Sequence, residues 1–89
     1  MSTTQSPMRR YAVVQKSEWV RNKVVEAIEA HSNLELDLYD ESGMIHVEFE
    51  LTNALYEPEL RIYIGTTTDY RTINLHIPQD GEAYALLPG

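Results

Sequence analysis

The amino-acid sequence predicts an α+β fold, with one N-terminal helix packed on a four- or five-stranded antiparallel meander sheet. Three observations predict it. Val20, Val24, Ala27, Ile28 and His31 fall on one stripe at helical spacing. Everything after Asn33 alternates between apolar and polar residues at period two, the mark of a sheet with one buried and one wet face. Gly43, Gly65 and Gly81 fall between or beside these runs, where turns need backbone freedom.

A disordered tail is expected over residues 1–10, rich in Ser, Thr and Gln as far as Pro7, and a single domain over residues 11–89. "YAVV", residues 11–14, opens two alternatives: the start of one long helix capped by Ser6, or a separate strand. The later helix start is favoured. Extending the apolar stripe backward would bury Lys16 and Ser17, whereas Ser17 suits an N-cap and Glu18 suits the positive helix end. The helix is therefore expected over about residues 17–31.

Four strands follow. Leu34, Leu36 and Leu38 point inward in the first, and Ile45, Val47, Phe49 and Leu51 in the second. Leu60, Ile62 and Ile64 are expected inward in the third, and Ile73, Leu75 and Ile77 in the fourth. "EAYALL", after "QDG", offers a short fifth strand.

Burial sets the register, because a one-residue slip turns every side chain to the opposite face. A hairpin at "DESG" with Tyr39 opposite Met44 places Asp37 opposite His46 and Glu35 opposite Glu48. Pairing Leu51 with Leu60 would place Glu50 opposite Arg61 and Glu48 opposite Tyr63. Pairing Ile62 with Ile73 would place Glu59 opposite His76. One helix is narrower than a four-stranded sheet, so strong curling and homodimerisation are expected to cover the inner face.

Fourteen acids stand against seven bases, a net charge of −7. Such a surface repels nucleic acid and anionic membranes and attracts basic partners. The absence of cysteine excludes disulfides and thiolate metal sites, and no apolar run approaches a bilayer's thickness. A cytoplasmic location is the expectation. The three histidines lack metal-ligand spacing, and no phosphate loop, nucleophile elbow or dinucleotide fingerprint is present. No cofactor, no metal and no catalysis are expected.

The expected function is non-catalytic binding to a basic protein surface through the outer sheet face. Its residues are Glu35, Asp37, Glu48, Glu50 and Glu59, with Tyr39 and Tyr63 as aromatic anchors. A sharper form is an inhibitor that occupies a nucleic-acid-binding groove with carboxylates in place of phosphates. Phage proteins directed against host nucleases supply the analogy. The alternative is a small oligomeric structural subunit, as in a virion, with apolar contacts. A solvated face that only confers solubility is the plainer account of the same acids. Trp19 lies well off the helix stripe and is expected to pack over a sheet edge, with a binding anchor as the second choice. "GTTTDY", residues 65–70, reads as a polar hairpin loop more readily than as a ligand cradle.

Overall fold

The computed structural model describes residues 7–88. The elements are β1 (Met8–Val13), α1 (Ser17–Ala30), β2 (Leu34–Asp40), β3 (Gly43–Glu57), β4 (Ile62–Thr67), β5 (Thr72–His76) and β6 (Tyr84–Pro88). They do not form an open meander. The strands close into a six-stranded antiparallel barrel in sequence order, with β6 paired back to β1 from Met8↔Pro88 to Ala12↔Tyr84. This corrects the expected fold of a helix on an open sheet. One helix is too narrow to cover so much inward apolar surface, so the sheet curls until it covers itself. Closure also pairs both would-be edge strands. It removes the need for a second copy over the inner face.

The apolar interior comes chiefly from alternate residues of five strands, with Tyr63 and Thr67 of β4 beside them. Leu34, Leu36 and Leu38, Val47, Phe49 and Leu51, Ile73 and Leu75, Ala85 and Leu87, and Tyr11 and Val13 are all buried. Ile77 and Ala83 extend this packing just beyond the strands. The helix adds Val20, Val24 and Ala27. Its start at Ser17 matches the expectation, but the cap does not. Lys16 is the N-cap, and Ser17 is buried and donates its hydroxyl to the Gly81 carbonyl at 2.7 Å. Ile28, expected inside, is exposed. His31 turns left-handed at φ 52°, and its N–H and that of Ser32 cap the Ile28 and Ala27 carbonyls.

The tail expected over residues 1–10 falls partly outside the described residues, which begin at Pro7. Its last three residues, Met8 to Arg10, belong to β1. Arg9 reaches Asp40 at 2.6 Å, and the Arg10 guanidinium lies 3.7 Å from the centre of the Tyr84 ring. Hydrogen bonds from the Ser42 hydroxyl and N–H hold the Asp40 carboxyl below its ordinary range, with Arg9 adding to the effect. Those two bonds also tighten the β2–β3 turn.

The β2–β3 register follows the prediction, from Leu34↔Phe49 to Asp40↔Gly43. Strand β4 does not. It pairs Ile62 with His76, three residues away from the expected Ile73, which turns its faces over. Tyr63 packs against the core, Thr67 is buried, and Leu60 stands exposed in the turn before β4. The cause lies in β3, which runs on to Glu57 with a register shift between Glu50 and Leu55. Gly65, expected in a turn, pairs with Ile73 within the β4–β5 ladder. A Cβ there would meet the Phe49 ring at 2.7 Å, so the side chain is missing where the ring needs space.

Candidate functional site

The outer wall of β2 and β3 gathers ionisable side chains because alternate residues share a face. Leu34, Leu36 and Leu38 hold β2 inward, so Glu35, Asp37 and Tyr39 must face out. Val47 and Phe49 do the same for β3, exposing His46, Glu48 and Glu50 on the other side. Glu35 lies opposite Glu48 and Asp37 opposite His46, as the register predicts.

His46 organises this wall. Its Nδ1 lies 3.0 Å from an Asp37 oxygen and its Nε2 lies 3.1 Å from a Glu35 oxygen. Carboxylates only accept, so both bonds form together only when both ring nitrogens carry protons. The hydrogen bond to Asp37 chiefly raises the His46 pKa above 6.5; desolvation opposes it, and the hydrogen bond to Glu35 adds to the rise. The opposed Glu35 and Glu48 thus have separate partners, since Asn33 donates to Glu48 at 3.3 Å. The like-charge contact costs less than bare carboxylates would.

A titration prediction arises here. The raised native pKa makes His46 contribute stability that is complete below pH 6.5 and disappears as pH rises through that native value. By NMR, His46 should titrate above the unstructured value of 6.5, and Asp37→Asn should lower it. An ordinary midpoint for His46 in the native protein would mean that the carboxylates do not hold the imidazolium.

Several expected neighbours are placed elsewhere. Glu50 faces Thr66 instead of Arg61. Glu59 lies exposed in the turn after β3, and the outward partners of His76 are Ile62 and Tyr84. Tyr63 is not an outer anchor: it faces Tyr56 across the strands, their ring centres 4.4 Å apart. Burial raises its pKa, with Tyr56 contributing. Tyr39 remains exposed beside the acidic wall.

Trp19 has no sheet edge to wrap. It borders a groove of about 750 Å³ between α1 and the start of β2, together with Glu26, Glu29 and Glu35. Lys23 already stands 5.6 Å from its ring centre and 3.5 Å from Glu26. In the β4–β5 loop the Thr67 hydroxyl donates to Asp69, which also accepts from Arg71 Nε at 3.1 Å. Those two bonds, Thr67 first, hold the Asp69 carboxyl below its ordinary range. Thr67, Asp69 and Arg71 thus bond to one another within the turn.

Sequence reasoning missed the outward aliphatic strip at the exposed Leu55 and Ile64 and the half-buried Ile62, because it places the two isoleucines in the core. Gly65 was the available signal. A lone glycine inside an apolar run marks a close approach as readily as a turn. Among the described residues, no group of three or more His, Cys, Asp or Glu is arranged to hold a metal ion. No described helix is long and apolar enough to cross a membrane. Compared with known proteins, the chain matches no family model, no curated protein and no solved structure.

Proposed function

We propose that this protein is a non-catalytic binding protein whose outer β2–β3 wall takes up a basic protein surface. The supporting observation is the wall's composition. Glu35, Asp37, Glu48 and Glu50 share it with His46, and no lysine or arginine lies among these outward positions. The carboxylates stand open to solvent, so they offer charge and hydrogen-bond acceptors to a partner instead of a closed pocket for acid–base chemistry. Tyr39 supplies an aromatic side chain at the margin. In the sharper form of this reading, the partner is a nucleic-acid-binding protein whose cationic groove the carboxylates occupy in place of phosphates.

The test uses a fluorescent lysine–serine peptide as the cationic probe, with affinity measured by anisotropy over a salt series. Glu35→Lys combined with Glu48→Lys should keep the circular dichroism of the native barrel and weaken binding about tenfold or more. Reversing the exposed Glu18 and Glu82 changes net charge equally and should have a much smaller effect. Equal losses from the two pairs would reduce the wall to general acidity and remove the reading.

The exposed Leu55, Leu60 and Ile64 favour a second reading, an oligomeric structural subunit with apolar contacts. Sedimentation separates the two. The subunit reading requires self-association that persists at high salt, whereas the binding reading requires salt-sensitive association with a cationic probe.

A further inference from the structure

Outside a closed barrel, an aliphatic side chain gains little from folding, because it stays in contact with water. Single instances are ordinary, but contiguous ones mark contact surfaces. The outer wall changes character along β3. Up to Glu50 its outward residues are Met44, His46, Glu48 and Glu50; past the register shift comes Leu55, 70% exposed. Ile64, directly across from it on β4, is 39% exposed. Ile62 follows on the same face of β4, and Leu60 is 60% exposed in the intervening turn. Cross-strand partners lie about 5 Å apart and alternate residues about 7 Å apart, so the strip is continuous.

The frame around the strip is anionic. Glu50, Glu57 and Glu59 are exposed and outnumber the one nearby cation among the described residues, Arg61, which donates to the neutral Gln79 side-chain oxygen at 3.1 Å. Glu50 belongs to both surfaces, since it ends the charged run of β3 and faces Thr66, two residues from Ile64.

We infer that the strip formed by Leu55, Leu60, Ile62 and Ile64 seats the apolar side chains of an amphipathic basic segment. This rests on the proposed reading of the anionic wall and narrows its partner. A merely cationic surface would leave the strip wet. A second copy would bring another net charge of −7 and the same anionic frame against it. An amphipathic basic segment satisfies both: its apolar side chains cover the aliphatic strip and its cations meet the frame and the adjoining wall.

Two synthetic peptides of equal length and charge test this, one of lysine and serine and one of lysine and leucine arranged amphipathically. The native protein should bind the lysine–leucine peptide about tenfold more tightly. Leu55→Ser combined with Ile64→Thr should abolish that preference and leave lysine–serine affinity unchanged. Methyl NMR of the native protein provides a measurement independent of the variant's folding. The lysine–leucine peptide should shift the Leu55, Ile62 and Ile64 resonances, and unmoved methyls overturn the inference. So does a preference that survives in a folded double variant, or salt-insensitive self-association that the same substitutions abolish. The wall stands or falls separately, on the response of the lysine–serine peptide to Glu35→Lys and Glu48→Lys.

Discussion

Phe49→Ala should destabilise the barrel by about 3–5 kcal/mol, the cost of removing a buried phenylalanine from a close-packed core. The ring is fully buried on β3, whose neighbours β2 and β4 pair with it at Leu34 and Thr67. The upper part of that range is expected here. A ring of hydrogen-bonded strands cannot move one wall inward without disturbing its neighbours, so the cavity closes poorly. Small domains have about 5–15 kcal/mol in total, so the variant should unfold at much lower urea concentration with an unchanged slope. A loss under about 1.5 kcal/mol would mean that the barrel is not packed around this ring.

Gly65→Ala should cost about 1–3 kcal/mol, although alanine suits a strand better than glycine does. The reason is a shared volume. A Cβ at Gly65 would lie 2.7 Å from one Phe49 ring carbon, 3.3 Å from another and 3.2 Å from the Ala54 Cβ. Backbone conformation is not the cause, since Gly65 sits in a regular part of the β4–β5 ladder. The diagnostic experiment is a double-mutant cycle by urea unfolding. Phe49→Leu alone should destabilise, yet combined with Gly65→Ala it should recover about 1 kcal/mol relative to additivity. Strict additivity would show that the ring and the glycine do not compete for space.

Both predictions concern the place where sequence reasoning failed. From Leu34 to Phe49, the apolar residues alternate without interruption, and a two-residue turn joins the strands, so only one register buries every leucine. The acidic wall was legible for that reason. Past Leu51, the adjacent Ala54 and Leu55 break the alternation, and the chain absorbs the extra residues in a shift that no local pattern announces. The period-two alternation of Leu60, Ile62 and Ile64 with Glu59, Arg61 and Tyr63 predicts the isoleucines of β4 inward, while Tyr63, Gly65 and Thr67 hold the inward side. Alternation lost to packing: Phe49 already filled the space that an inward side chain at residue 65 would need. The same inversion moved Tyr63 out of the candidate site and put the aliphatic strip on the surface.

By itself, the sequence determined the helix start at residue 17, the β2–β3 register, the inward faces of β2 and β5, and the negative charge of the outer wall. These depend on periodicity and on neighbours close in the chain, which local order records. Closure of β6 onto β1, the register of β4 and the two-sided outer wall were decided only in the tertiary structure. Each depends on how much apolar surface must be hidden in total and on which side chain reaches a shared volume first, and a strand's own pattern contains neither quantity.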